Sequence, residues 1–253
     1  MKQKNTSVVY EFKLGYGGIG DFIKYMQTCI IESEIKNANF YIDLNHPMKN
    51  FIIIEDKYHI NKCKNENVKR KPFDYYHLCG RLHKHKCVIS LEDKLSFYPL
   101  EYFKFSDECL NNCNELVNKN NIPNDYEAIH LRMGDSKMSS TNKNKHDCRV
   151  KNINFYDIIN NIVSNNLQSN FIFFSDNEEI KNEIVTKYDN VHMINIKILH
   201  TSECYNKNYE ENIKNNISEF VILAKAKKIH SISYSGFSIV ASWIYSNQLI
   251  KYY

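Results

Sequence analysis

The sequence has no apolar run long enough to cross a bilayer, and residues 1–7 lack the apolar core of a signal peptide. Its eight cysteines include no Cys-x-x-Cys pair. Several of them fall within predicted helices or strands, which is typical of a reduced protein rather than of a disulfide framework. We therefore expect a cytoplasmic protein of the bacterial or viral type, without a membrane span.

The sequence also contains no Asp-x-Asp pair, with which metal-dependent sugar-nucleotide transferases hold their ion. Histidines and cysteines between His77 and Cys87 are of the types that bind zinc, but their spacing matches no zinc motif. The net charge of +4 is mild, and the Lys- and Asn-rich residues 62–71 are typical of a solvated loop. We expect neither a metal ion nor a nucleic-acid partner.

The 253 residues can form one large domain or two small ones. After a polar, proline-containing linker at 120–125, predicted strands and helices alternate at lengths typical of βαβ units and a parallel sheet. The chain also begins with a strand, a tight loop and a helix, whereas residues 56–87 indicate no clear element. The simplest α/β architecture is two Rossmann-like domains, 1–122 and 123–253, whose parallel sheets face a central cleft. The last helix could pack back on the first domain.

Charged residues follow a buried strand pattern within residues 128–135. Ligands of open α/β sheets bind beyond the carboxyl ends of the strands, and a guanidinium there is suited to gripping phosphate. Arg132 is therefore the first catalytic candidate, because it could neutralise a pyrophosphate leaving group without a metal. We expect His130 to orient a phosphate or the acceptor, and Asp135 to hold Arg132 or to accept a proton. The plain alternative is a surface ion pair at a strand end.

Two further polar clusters follow strands in the same half of the chain. Residues 235–238 open the last predicted helix, where backbone N–H groups and hydroxyls form a natural anion site. Residues 175–176 end another strand and would face the same cleft. Ordinary helix caps would use the same residue types. The donor-binding candidates in these clusters are Ser175, Asp176, Ser235, Gly236, Phe237 and Ser238.

A glycine loop near the start of the chain favours a rival hypothesis. Its pattern, Gly15-x-Gly17-x-x-Gly20, is formally a dinucleotide fingerprint, and Asp43 ends the next strand where a ribose-binding acid would lie. The rival is an NAD(P)-dependent dehydrogenase. However, the only Tyr-x-x-x-Lys, at Tyr58, comes too early to follow a dinucleotide fold, and this rival gives no role to residues 130–135 or to residues 233–238. The loop could also be a tight turn that lets strand and helix pack closely.

Together the motifs resemble those of the metal-independent fucosyltransferases of GT-B architecture. The resemblance is closest to the α1,2-fucosyltransferase type (glycosyltransferase family 11), with α1,6- and protein O-fucosyltransferases as more distant relatives. The family's Gly-Gly-Leu-Gly-Asn loop is similar to residues 17–21, and its His-x-Arg-Arg-Gly-Asp motif to residues 130–135. Its Phe-Ser-Asp-Asp and closing Asn-Ser-Ser-Phe-Ser motifs are similar to residues 174–177 and 234–238. The departures from the family pattern are Asp21 for Asn, Met133 for the second Arg, Gly236 for Ser and Glu219 for Asp.

The resemblance implies an inverting, metal-independent glycosyltransferase that moves L-fucose from GDP-fucose to a glycan hydroxyl, with no cofactor. It implies that Glu219 reads the guanine. As general base we expect Asp21 first and Asp135 second. A transferase of the same fold using another nucleotide sugar, the dehydrogenase, and a non-catalytic glycan- or nucleotide-binding relative remain alternatives. The glycines of the family's loop correspond to Gly17, Gly18 and Gly20.

Overall fold

A computed structural model of the chain describes residues 6–64, 67–72, 98–134, 149–150, 152–196 and 209–253. The chain divides into two compact units, 1–106 and 107–253. Within the described ranges, no helix combines the length and apolar character that crossing a membrane requires.

The first unit is built on a short parallel sheet. The described elements of this unit are β1 (Thr6–Lys13), α1 (Ile19–Ile35), β2 (Asn39–Asn45), β3 (Ile52–Ile54), β4 (Asn67–Pro72) and β5 (Phe103–Phe105), with short 3-10 turns at Pro47–Asn50, Asp56–Tyr58, Ile60–Lys62 and Pro99–Glu101. The strand order of the sheet is β2-β1-β4, with β1 paired in parallel to both neighbours, and β3 and β5 form a separate antiparallel pair.

Aromatic packing joins β1 to α1 in the first unit. The ring of Tyr10 stacks on that of Phe22 at 5.6 Å between centroids, and the Tyr10 hydroxyl donates to the Phe22 carbonyl over 3.0 Å. Phe12 packs edge-on against the same Phe22 ring. Strand β1 is buried because it lies at the centre of the sheet, which explains its continuous apolar pattern.

Strand β4 lies within the stretch for which the sequence predicted no element. It pairs in parallel with β1 at the edge of the sheet, and most of its residues are exposed. Its basic side chains meet carboxylates of the first unit: Arg70 pairs with Glu11 and Asp43, and Lys71 lies 2.7 Å from Glu32. A charged edge strand carries no alternating apolar pattern, so periodicity could not reveal it.

The described elements of the second unit are α2 (Asp107–Lys119), β6 (Glu127–Leu131), α3 (Phe155–Ser164), β7 (Phe171–Ser175), α4 (Glu178–Lys187), β8 (Val191–His192), α5 (Tyr209–Lys225), β9 (Lys228–Ser231), α6 (Gly236–Ile244) and β10 (Gln248–Lys251). The described strands form a five-stranded, fully parallel sheet of order β10-β9-β6-β7-β8. This strand order is the doubly wound arrangement, whose topological switch point lies between β6 and β9.

Helix α2 belongs to the second unit, although the sequence predicted a domain boundary after it, at residues 122 and 123. The Asn112 side-chain amide donates to the Ser218 hydroxyl on α5 over 2.8 Å, and the Cys113 thiol lies 3.6 Å from the Ser218 carbonyl oxygen. Helix α2 packs against α5, and its residues Cys109, Cys113 and Leu116 are buried. The compact units accordingly divide at residues 106 and 107.

The predicted α/β class with parallel sheets is confirmed, and the second half has the alternation of strands and helices that the sequence predicted. The facing arrangement of two domains across a cleft stays a prediction. Strand β10 follows the last helix and extends the sheet beside β9, an element that the sequence did not predict.

Candidate functional site

The segments that follow β6 and β9 meet at the topological switch point of the sheet of the second unit. Arg132 directly follows β6, and Ser233 lies just beyond β9. The Arg132 backbone N–H donates to the Ser233 hydroxyl over 2.9 Å, and that hydroxyl donates to the Arg132 carbonyl oxygen over 2.6 Å. Because ligands of such sheets bind at the switch point, this edge is the candidate site.

Asp176 fixes the turn that follows β6. Its carboxylate pairs with the Arg132 guanidinium and accepts the backbone N–H groups of Met133 at 2.8 Å and Gly134 at 3.1 Å. Only 14% of the Arg132 side chain and 6% of the Asp176 side chain are exposed. Asp176 therefore orients the guanidinium, a role for which the sequence analysis proposed Asp135. Asp135 lies outside the described residues.

The neighbours of Asp176 cap helix α4. The Asn177 side chain accepts from the Ile180 backbone N–H at 3.0 Å, and the Ser175 hydroxyl accepts from the Asn177 backbone N–H at 3.2 Å. Asp176 is thus left to contact the loop after β6, while Ser175 and Asn177 shape the start of the helix. The cap of α4 is therefore Asn177 and neither Ser175 nor Asp176, and a role of Asp176 in binding the donor stays a prediction.

The start of α6 lies next to this loop. The Ser235 hydroxyl caps the helix by accepting from the Phe237 backbone N–H at 3.3 Å. Ser238 is fully buried, and its hydroxyl lies 2.8 Å from that of Ser231 and 3.2 Å from the Ser235 carbonyl oxygen. Ser238 therefore ties the helix start to β9, while Gly236 lies at the first turn, where a helix attracts anions.

Within the part of the chain that the structure describes, the buried polar atoms without a hydrogen-bond partner include Nδ1 of His130, at the end of β6, and Oε1 of Glu219, on α5. The centroid of the Phe237 ring lies 5.8 Å from that of the His130 ring and 5.2 Å from that of Phe220, the residue after Glu219. Buried polar atoms are nearly always hydrogen-bonded, so these two side chains are candidates for contacts with a ligand.

Burial shifts the pKa of both groups toward the neutral form. It lowers the pKa of His130 to about 3, and the positive charges of Arg132 and Arg149 add to this. It raises the pKa of Glu219 to about 7, against the opposing charge of Lys181. At neutral pH the imidazole is therefore uncharged, and the carboxyl group is close to half-ionised.

Sequence reasoning missed two cations near the site. Lys181 on α4 is buried, and its ammonium group donates to the Ile194 carbonyl over 3.2 Å. Arg149 donates its backbone N–H to the Met133 carbonyl over 3.0 Å and its guanidinium to the Tyr234 carbonyl over 3.3 Å. Lys181 reads as one polar residue of a helix and Arg149 as part of a polar loop, so neither carried a signal.

The glycine loop lies in the first unit, between β1 and α1. Gly17 has a φ of +108°, and the Asp21 carboxylate accepts from the Gly18 backbone N–H at 3.4 Å. A Cβ on Gly17 would collide with that carboxylate. Asp21 thus places a negative charge at the N-terminus of α1, where a dinucleotide would need its pyrophosphate. Gly20 lies in the first turn of the helix.

Asp43, the second element of the dinucleotide hypothesis, is engaged within the sheet. The Arg70 guanidinium lies 3.0 Å from the Asp43 carboxylate and also pairs with Glu11. Both carboxylates belong to paired positions of β1 and β2. The geometry therefore gives the acid a structural ion pair.

Among the described residues, no group of three or more His, Cys, Asp and Glu side chains could hold a metal ion. The His- and Cys-rich stretch between His77 and Cys87 lies outside the described residues.

No family model matches the sequence, and a search of curated proteins finds no match. Solved structures of the fucosyltransferase NodZ are similar to this chain. The α1,6-fucosyltransferase NodZ co-crystallised with GDP has a TM-score of 0.54 at 7% identity, over 98% of this chain and 95% of that one. NodZ from Bradyrhizobium has a TM-score of 0.53 at 7% identity, over 99% and 96%. NodZ soaked with GDP-fucose has a TM-score of 0.51 at 7% identity, over 95% and 93%. At this identity the likeness shows the fold.

Removing the Asp176 carboxylate should destabilise the second unit. Asp176→Ala takes away the acceptor of the Arg132 guanidinium and of two backbone N–H groups in a largely buried setting, so we expect a loss of about 3 kcal/mol in unfolding free energy. Asp125→Ala is the control, because Asp125 pairs with Lys227 while both side chains are 66% exposed. It should cost less than about 1 kcal/mol. Urea unfolding measures both, and equal losses would contradict the assignment.

Proposed function

We propose that this chain is a fucosyltransferase that takes L-fucose from GDP-fucose and transfers it, with inversion and without a metal ion, to a glycan hydroxyl. The observation that carries the proposal is the hydrogen bonding of the Arg132 backbone to Ser233, two residues before the cap of α6, at the switch point of the sheet. The likeness of the fold to NodZ, which was crystallised with GDP and soaked with GDP-fucose, supports it.

The chemistry requires a stabilised leaving group. The acceptor oxygen forms a bond to C1 of fucose as the bond from C1 to the β-phosphate oxygen breaks, and negative charge grows on the departing GDP. The Arg132 guanidinium and the backbone N–H groups at the start of α6 would stabilise that charge, and the dipole of α6 would add to them. Asp176 keeps the guanidinium oriented before the reaction begins.

The orphaned atoms of His130 and Glu219 support binding of a guanine nucleotide. A carboxylate on Glu219 would accept the N1–H and the exocyclic amino group of guanine, which lie side by side on one edge of the base. Adenine presents an acceptor at N1, so the same carboxylate would repel it. The imidazole of His130, which is neutral and buried, would form a hydrogen bond with the GDP-fucose molecule without adding charge to the site.

Three parts of the proposal stay predictions: the α1,2 type of linkage, the glycan acceptor and a cytoplasmic location. The first two rest on the sequence resemblance. NodZ is described as an α1,6-fucosyltransferase, so the likeness of the fold does not favour one linkage over another.

A nucleotide panel tests the proposal most simply. We expect GDP to raise the melting temperature of the protein more than UDP, ADP or NAD, because a ligand that binds the native state stabilises it.

Arg132→Ala should retain the fold and lower the transfer of fucose from GDP-fucose by about 10²–10³-fold. EDTA should leave wild-type transfer unchanged.

Other outcomes of the panel point elsewhere. Stabilisation by NAD alone would favour the dehydrogenase, and stabilisation by UDP a transferase with another donor. Binding of GDP without transfer or hydrolysis of GDP-fucose would favour a non-catalytic relative. Near-normal turnover by Arg132→Ala would rule out the role given to the guanidinium.

GDP affinity should depend on pH through Glu219. Its pKa of about 7 means that the carboxyl group is largely protonated at pH 6, and the protonated form cannot accept both guanine donors. Binding must then release a proton, so we expect GDP affinity to fall about tenfold for each pH unit below the pKa. Glu219→Gln should bind GDP more weakly and lose this part of the pH dependence. Calorimetry in buffers of different ionisation enthalpy measures the proton release. Equal pH profiles for both proteins would contradict the assignment.

Asp21 is the proposed general base, with Asp135 second. Its carboxylate is held at the N-terminus of α1 by the Gly18 N–H, which fixes its position in the loop. Asp21→Asn should lower the rate of transfer and remove the acidic limb of the pH–rate profile. A profile whose acidic limb is unchanged would exclude Asp21 as the base.

A further inference from the structure

Arg149 contacts both loops of the candidate site without belonging to either. Its backbone N–H binds the Met133 carbonyl oxygen at 3.0 Å, one residue after Arg132. Its guanidinium donates to the Tyr234 carbonyl oxygen at 3.3 Å, one residue before the cap of α6. The side chain thus reaches from the turn after β6 to the helix start.

The charge of Arg149 acts on the same group as that of Arg132. Both guanidiniums lower the pKa of the buried His130, beside the effect of burial, so both cations lie close enough to act on this one imidazole group. Met133, between Arg132 and the turn, points its side chain into the apolar core of the second unit. The residue next to Arg132 therefore gives the site no charge, and Arg149 brings the second cation from a distant part of the sequence.

We infer that Arg149 binds the diphosphate of the donor opposite Arg132, as a second guanidinium clamp on the leaving group. This inference rests on the proposed function. A diphosphate carries several negative charges, and a guanidinium binds phosphate oxygens with paired, charge-assisted hydrogen bonds. The carboxylate of Asp176 offsets part of the charge of Arg132, so a second cation raises the positive potential where the β-phosphate departs.

A purely structural role for Arg149 makes a different prediction. If the guanidinium only held the Tyr234 carbonyl and thereby the start of α6, its loss would disturb the whole nucleotide site. Guanosine and GDP would then lose affinity together. A residue that contacts the diphosphate affects GDP and leaves guanosine unchanged.

The test compares the binding of GDP and of guanosine by calorimetry to the full chain and to three variants. Arg149→Ala should weaken GDP binding about tenfold or more, the effect of a lost charge-assisted hydrogen bond, with guanosine binding unchanged. Arg149→Lys, which keeps the charge but not the fork, should lie between. Lys225→Ala, which removes an exposed cation from the last turn of α5, is the control and should match wild type for both ligands.

If the wild-type chain binds GDP, either of two results would overturn the inference. One is unchanged GDP affinity in Arg149→Ala, and the other is an equal loss for GDP and guanosine in both Arg149 variants. A wild-type chain that binds neither ligand would overturn the proposed function and this inference with it.

Discussion

The paired hydrogen bonds between Ser233 and the backbone of Arg132 are the contact on which the site of the second unit depends. They join the ends of β6 and β9 at the point where the sheet order reverses. Asp176 adds the third strand end by holding the Arg132 guanidinium and the turn that follows it. Three strand ends are thereby fixed before any ligand arrives, which is what preorganised electrostatic stabilisation of a leaving group requires.

Burial then decides which side chains carry charge at neutral pH. It keeps His130 uncharged and holds Glu219 near the midpoint of its titration, whereas the guanidinium groups remain cationic. The site therefore combines the permanent positive charge of the guanidinium groups with the carboxyl group of Glu219. The N–H donors of a guanine base would favour the ionised form of that carboxyl group. Arg149 extends the positive side of this arrangement.

The sequence predicted the elements of the second unit well because buried parallel strands and amphipathic helices have strong periodic signals. It also predicted that Arg132 and the cluster around Ser235 would come together, since both follow strands of one parallel sheet. It could not show that Asp176 holds Arg132, because two strand ends can exchange side-chain contacts in many ways. Strand β4 and Arg149 were not predicted, for a related reason. The role of a basic edge strand or of a residue in a polar loop depends on the residues that it contacts in the folded chain, and these are distant in the sequence.

A crystal structure of the chain with GDP tests the central claim most directly. The account predicts the β-phosphate within hydrogen-bond distance of the Arg132 guanidinium and of the backbone N–H groups at the start of α6, with the guanine against Glu219. A nucleotide bound instead at the glycine loop between β1 and α1, with Arg132 and α6 untouched, would contradict it.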